Sequence, residues 1–390
     1  MELRIAVQDA LLTVRGWASP ESEQATRRAI ELSRRPGIEW EKGWYALSGL
    51  RVFEVNRGDM RGARETAAQM VASAQEHGSS PHLADALFFR AAAMEVMGEF
   101  EQAQRDLDRA MAIFESITKA GLEATELIPM WTGFAKEPML ALSGDNLWYR
   151  GYPDRALQHV QNATAAALKS GSKAVLALVH DLAAFTYLVA GDNERLRERA
   201  EAALELGTDL GDPVRIARSQ MYLGWTKVMG NDFDAGITRM RYNLAKYREN
   251  GTGLQFPYYL ALIASAFGKS GKPADGLREI DQSLALIETT GQRRCEAEVW
   301  RLKGELLLAQ PLSDAGLAEQ SFRTAIEISR KHRAKSWELR ATTSLARLLA
   351  RQGKSDDARV ILADFYNWFS EGFDTADLKE AKALLEHLSG

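Results

Sequence analysis

The stretch AFGKSGKPADGL, Ala266 to Leu277, contains Gly268-Lys269-Ser270, the closing triad of a phosphate-binding loop. Such a loop needs a glycine five positions before the Gly-Lys pair, so that backbone N–H groups can curl around the phosphates. That position carries Ile263, and the look-alike Gly353-Lys354-Ser355 carries Leu348 there. Neither stretch can cradle a phosphate. The glycine-polar cluster reads instead as a turn, and turns of the same kind recur along the chain.

They are RGDMRGA at Gly58, MGEFEQA at Gly98, RGYPDRA at Gly151, AGDNERL at Gly191, GNDFDAG near Asn231, SGKPADG at Gly271 and QGKSDDA at Gly353. Most steps are 40 residues, one is 53, and the last spans two units through QPLSDAGLAEQSF. A weaker first copy starts at Gly16. Repetition at such a period marks stacked supersecondary units. A helical pattern follows each turn, as in AQRDLDRAMAIFESI with Ala103, Leu107, Ala110, Met111 and Phe114 on one face. Another precedes it, as in RIARSQMYLGWTKVM (Arg215 to Met229), while strand signals are almost lacking. Pro153 and Pro273 suit first helical turns. Small residues such as Gly224 and Ala103 would let paired helices approach closely.

The expectation is therefore an all-α fold, an α-solenoid of about nine helical hairpins with a period near 40 residues and a right-handed superhelix. One solenoid would fill residues 1–390. An N-terminal hairpin would occupy 1–38, eight repeats 39–372 with an insertion near 118–138, and a capping helix 373–390. In that cap Leu378, Ala381, Leu384 and Leu385 would cover the last hairpin.

The bulk numbers fit a folded protein in a reducing cytoplasm. Of 390 residues, 46% are apolar and 26% charged, and 49 basic against 53 acidic residues leave a net charge of −4. That balance points to neither a nucleic-acid nor a membrane-surface partner. The one cysteine, Cys295, excludes a disulfide framework, and no run of about 18 apolar residues predicts a membrane span.

The turn pattern resembles the tetratricopeptide family, with a longer unit. Further stretches are RGWASPE, RGDMRGARE, LWYRGYPDRAL, FPYYLALIASAFGKSGKPADGL, AEVWRLKGELLLA, AKSWELRATTSLARLLARQGK and NWFSEGFDTADLKEAKALLEHL. These resemble one group more closely: the C-terminal tetratricopeptide-like region of bacterial proteins that join a guanylate/adenylate cyclase domain to a STAND-type (AAA-like) ATPase. The resemblance runs from Leu3 to Leu388 and implies a regulatory or scaffold segment serving enzymatic domains upstream. Such domains are absent from this sequence, and the resemblance carries over no catalytic residue.

No enzyme motif is evident. His77, His82, His159, His180, His332 and His387 form no metal-ligand spacing, and His77 and His82, flanking a turn, read as solvated surface residues. Cys295 has no nucleophile context, and GTGLQF at Gly251 has Phe256 where a dinucleotide fingerprint needs its third glycine. No cofactor is implied.

A binding surface would lie along the concave groove, which the first helix of each hairpin lines. Projecting groove positions from each turn glycine gives Tyr45, Asp145, Trp148, Tyr149, Asp181, Phe185, Arg218, Trp225, Tyr258, Lys269, Arg301, Arg340 and Arg347. Asp85, Glu95, Glu305 and Arg351 fall in the same positions. The groove would be acidic in its first half and basic in its second, the basic end capturing a carboxylate or phosphate. The competing expectation is that these aromatics pack between repeats. Three functions are weighed: a non-catalytic interaction or scaffold module with a protein or peptide in the groove, a small-effector sensor regulating a cyclase or ATPase, and an unrecognised enzyme. For the sensor, Trp131, Trp148 and Tyr149 would enclose a pocket.

Overall fold

The computed structural model describes residues 20–120 and 136–389. The first half of the expected N-terminal hairpin, most of the insertion near 118–138 and Trp131 lie outside the described residues. Among the described residues there are eighteen helices and no strand. Helix α1 (Pro20–Ser33) precedes eight hairpins. These are α2 (Trp40–Arg57) with α3 (Met60–Glu76), α4 (Ser80–Val96) with α5 (Phe100–Lys119), α6 (Lys136–Tyr149) with α7 (Pro153–Ser170), and α8 (Lys173–Ala190) with α9 (Asn193–Asp209). Then follow α10 (Pro213–Met229) with α11 (Phe233–Glu249), α12 (Phe256–Lys269) with α13 (Pro273–Thr290), α14 (Glu296–Leu308) with α15 (Ala315–His332), and α16 (Lys335–Arg351) with α17 (Ser355–Tyr366). Helix α18 (Ala376–Ser389) follows the last hairpin, burying Leu378 and Ala381. The fold is an α-solenoid.

The turn at residues 268–272 ends α12. Gly271 takes the left-handed conformation (φ 76°), which lets Lys272 N–H reach the Phe267 carbonyl at 2.9 Å and Gly271 N–H reach that of Gly268 at 3.1 Å. This paired closure satisfies carbonyls that a helix end leaves open, and glycine enters that conformation without strain. Lys269 lies in the last helical turn and is exposed. A second set of left-handed glycines, Gly171, Gly211, Gly251 and Gly291, lies between hairpins.

Second helices α3, α5, α7, α9, α11 and α13 each bury one stripe. First helices such as α4, α6 and α12 are buried around most of their circumference, because they pack on their own hairpin, on neighbouring hairpins and on the interior. Helix α8 is long and apolar enough to cross a membrane, yet it sits in this interior, with Val179, Ala183, Ala184 and Phe185 buried. Close helix approach at Gly224 follows from its missing side chain: a Cβ there would stand 2.7 Å from Met240 Cγ.

The array also winds round onto itself. Each early turn rests on a connection about five hairpins later. Gly253 N–H donates to the Asn56 carbonyl at 2.6 Å, and Arg294 N–H to that of Val96 at 3.0 Å. His332 Nδ1 meets the Gly98 carbonyl at 2.9 Å, across 234 residues of sequence, and Gly372 N–H reaches Asp154 Oδ2 at 2.9 Å across 218. Much of the groove is thereby an interior. Its largest apolar cluster runs from Phe100 to Trp337 and includes Trp148, Tyr149, Phe185 and Tyr259.

A candidate ligand cavity at the C-terminal end

The thirteen projected groove residues separate into an interior set, a cavity set and Tyr45. Tyr45 sits apart on α2, half-buried against the rings of Trp44 and His82. His82 itself corrects an expectation: it is buried, with Nδ1 2.7 Å from Ser79 Oγ and Trp40 and Trp44 edge-on to its ring. A helix start packed on aromatic rings buries a histidine that a turn-based reading places in solvent. His180 is buried as well.

The interior set is Asp145, Trp148, Tyr149, Asp181, Phe185 and Arg218. Trp148 lies edge-on to Trp337 with centroids 4.8 Å apart, and Tyr149 stacks on Phe100 at 4.6 Å. Asp145 accepts from Thr186 Oγ1, and Asp181 is paired with Arg218. Burial pushes the Asp145 carboxyl well above the usual range, and Glu95 adds to that rise. Arg294, over the Phe185 ring at 4.1 Å, pairs with Glu95 across the superhelical winding. Trp148 and Tyr149 therefore pack in the core, and Trp131, expected beside them around an effector pocket, lies outside the described residues.

The cavity set is Trp225, Tyr258, Lys269, Arg301, Arg340 and Arg347. These six line one volume of about 310 Å³, at the small end of organic-ligand sites (roughly 300–1,000 Å³). Helices α10 and α12 form one wall, α14 and α16 the other, and α18 borders it with Asp377 and Glu380. Leu188, Leu262, Leu302 and Met229 supply apolar surface.

The α14/α16 wall is an ion-pair lattice. Glu298 takes Arg301 Nη2 at 2.7 Å and stands 3.8 Å from Arg340 Nη1. Arg340 also donates to Asp377 Oδ1 at 2.8 Å and to the Val189 carbonyl at 2.6 Å. Arg347 pairs with Glu380 and lies 3.8 Å from Glu305. Burial opposes charge on Glu298, but Arg301 and Arg340 prevail and hold its carboxyl below the usual range. On Asp377 burial prevails over Arg340 and the carboxyl is pushed up. The basic end expected of the groove is thus largely neutralised within the chain. The sequence projection missed Glu298, which lies one helical turn before Arg301, and Asp377 and Glu380, which lie on α18 after the last hairpin.

The α10/α12 wall is different. Trp225 Nε1, the Tyr258 hydroxyl, Ser265 Oγ and Lys269 Nζ have no hydrogen-bond or ion-pair partner among the described residues. Tyr258 is only 6% exposed, and burial pushes its hydroxyl well above the usual range, so it remains a neutral donor. Among the described residues no three His, Cys, Asp or Glu side chains converge as metal ligands.

No protein-family model matches the chain. An uncharacterized protein of Rhizobium meliloti (strain 1021) is 25% identical over 131 residues, which are 34% of this chain and 13% of that protein's own length. Among solved structures, a Rap protein complexed with competence and sporulation factor superposes with a TM-score of 0.62 at 11% identity, covering 99% of this chain and 98% of that one. The apo form of the quorum sensor NprR from B. thuringiensis gives 0.50 at 10% identity, covering 100% and 98%. At these identities the likeness is one of fold.

Proposed function

We propose that the chain is a non-catalytic interaction and scaffold module whose partner, a protein or peptide, engages the cavity between α10, α12, α14, α16 and α18. The observation that carries this is the convergence of six groove positions on one cavity whose arginines and carboxylates engage one another, and where the hydroxyl that meets a carboxylate, Ser344 on Glu305 at 2.6 Å, is also held by Arg301. Such a lattice recognises charge and shape, whereas group transfer needs a base poised on a reacting atom. The Rap protein of the same fold was solved with a bound factor, and NprR is described as a quorum sensor, which supports ligand-dependent regulation on this architecture. The resemblance to cyclase–STAND proteins supports a signalling ATPase or cyclase as the regulated component, in cis or in trans, within the cytoplasm. Nucleic acid, membrane and cofactor have no place in this reading. A second reading, a small-effector sensor, is favoured by the modest volume and by Trp225 and Tyr258 in its lining.

The test combines affinity capture from the source cell with calorimetry against nucleotides, sugars and amino acids. A distinct protein retained by the chain, with no small molecule bound, supports the module. A bound small molecule transfers the case to the sensor. Failure of both overturns both.

A further inference from the structure

The proposed interaction reading is the base for a narrower one. We propose that the cavity is a receptor for an acidic peptide segment of the partner, and that Asp377 and Glu380 of α18 occupy its carboxylate positions until that segment displaces them.

Three observations converge. First, α18 presents two carboxylates three residues apart, thus on one helical face, to Arg340 and Arg347 at the cavity edge. Without them, Lys269, Arg301, Arg340 and Arg347 would face only Glu298 and Glu305, leaving a net positive site. Second, the opposite wall holds donors and no carboxylate: Trp225 Nε1, Tyr258 hydroxyl and Lys269 Nζ have no partner among the described residues. A ligand rich in acceptors satisfies both walls at once, and hydrogen bonds to charged acceptors are the stronger ones. Third, α18 meets the cavity through its accessible edge: Glu380 is exposed, while Leu384, Leu385 and Leu388 pack on the last hairpin beside the buried Leu378 and Ala381, and burial works against the charged form of Asp377. Solvent-accessible ion pairs are worth little and exchange partners at low cost. The seat of α18 is thus what an acidic ligand would need to take, and the free donors opposite are what it would gain.

The test uses the full chain, because truncating α18 risks the stability of the last hairpin. A fluorescein-labelled decapeptide of Asp and Glu, its Asn/Gln counterpart, and inorganic phosphate as competitor are the probes. The double variant Asp377→Asn/Glu380→Gln should bind the acidic peptide about tenfold more tightly than the parent chain, since two competing carboxylates are gone. Arg340→Gln/Arg347→Gln should lose that binding, with circular dichroism verifying that the helices persist. The Asn/Gln peptide should not bind, and phosphate should displace the acidic one no better than chloride of equal ionic strength. Equal peptide affinity in parent and Asp377→Asn/Glu380→Gln chains would overturn the proposal, as would binding indifferent to the arginines or displacement by phosphate at low concentration. A cellular protein captured equally by parent and Arg340→Gln/Arg347→Gln chains would overturn it while leaving the interaction module standing. Arginine-dependent peptide binding with no cellular partner would do the reverse.

Discussion

Trp337→Ala separates a closed superhelix from a simple row of hairpins. Trp337 is 1% exposed on α16, yet its partners belong mostly to distant hairpins. Its ring lies edge-on to Trp148 at 4.8 Å and 5.8 Å from Tyr149, and its Nε1–H donates to the Arg294 carbonyl at 3.0 Å. Emptying a fully buried tryptophan costs about 3–5 kcal/mol, and the orphaned carbonyl adds about 1 kcal/mol. Trp337→Phe keeps most of the fill and should cost about 1–2 kcal/mol. In a row of hairpins coupled only to nearest neighbours, the loss would stay in α14–α18. In the closed coil it reaches the other seams. The assay is native-state hydrogen exchange, read at the Gly253 amide, which donates to Asn56 two hairpins away from α16 along the chain. We expect that amide to exchange at least about tenfold faster in Trp337→Ala, a factor that corresponds to about 1.4 kcal/mol. Loosening of α16 with the Gly253 amide unchanged would refute the cooperative closure.

Further consequences are open to simple measurements. Gly151→Ala should destabilise by about 2 kcal/mol or more, measured by chemical denaturation, because Gly151 has φ 88° and a Cβ would lie 2.6 Å from Trp368 and 2.7 Å from Lys335 Cβ. Cys295 is buried and its thiol is pushed up to about 12 by burial, so the native chain should resist iodoacetamide at pH 8 and react only on unfolding. Burial pushes the Glu54 carboxyl up to about 7, so its stabilising protonated form is fully present below about pH 4.5 and is lost as pH rises through 7. Burial, aided by Arg199, lowers His180 to about 4, so stability is lost as pH falls from about 6.5 to 4, by at most about 3 kcal/mol. Glu54→Gln should accordingly remove stability loss on the alkaline side and His180→Gln that on the acid side, each read from melting temperature against pH.

The repeat was legible because a left-handed turn admits few residues, so Gly58, Gly98, Gly151, Gly191 and Gly271 mark one end of each hairpin. The same logic held for Gly171, Gly211, Gly251 and Gly291, whose equal spacing locates the other turns and was available in the sequence. Projecting a groove face from the first set brought Trp225, Tyr258, Lys269, Arg301, Arg340 and Arg347 to one cavity, since those side chains share a register along stacked first helices. It could not foresee that the groove closes farther up. Closure depends on how small rotations between hairpins accumulate, and no local pattern encodes that sum.

The acidic first half and basic second half of the groove acquire a different meaning once the winding is seen. After about five hairpins the coil brings early residues onto late ones. Glu95 on α4 then meets Arg294 before α14, and Glu101 on α5 meets Arg333 after α15. Part of the complementarity that suggested an external ligand is therefore internal. The buried pair is a poor source of net stability, because desolvating both ions offsets most of their attraction. Its effect is on alternatives: a coil slipped by one hairpin would leave Arg294 and Glu95 each buried without a counter-charge, which costs several kcal/mol. A pair of this kind fixes where one superhelical turn lands on another, while the apolar contacts around Trp148, Tyr149 and Trp337 supply the adhesion. Farther along the coil, Arg340 and Arg347 meet carboxylates of α18, and Arg340 also donates to the Val189 carbonyl of the fourth hairpin. The charges of this chain are thus paired according to position along the coil: across the winding where one turn meets another, as at Glu95 and Arg294, and through α18 at Arg340 and Arg347.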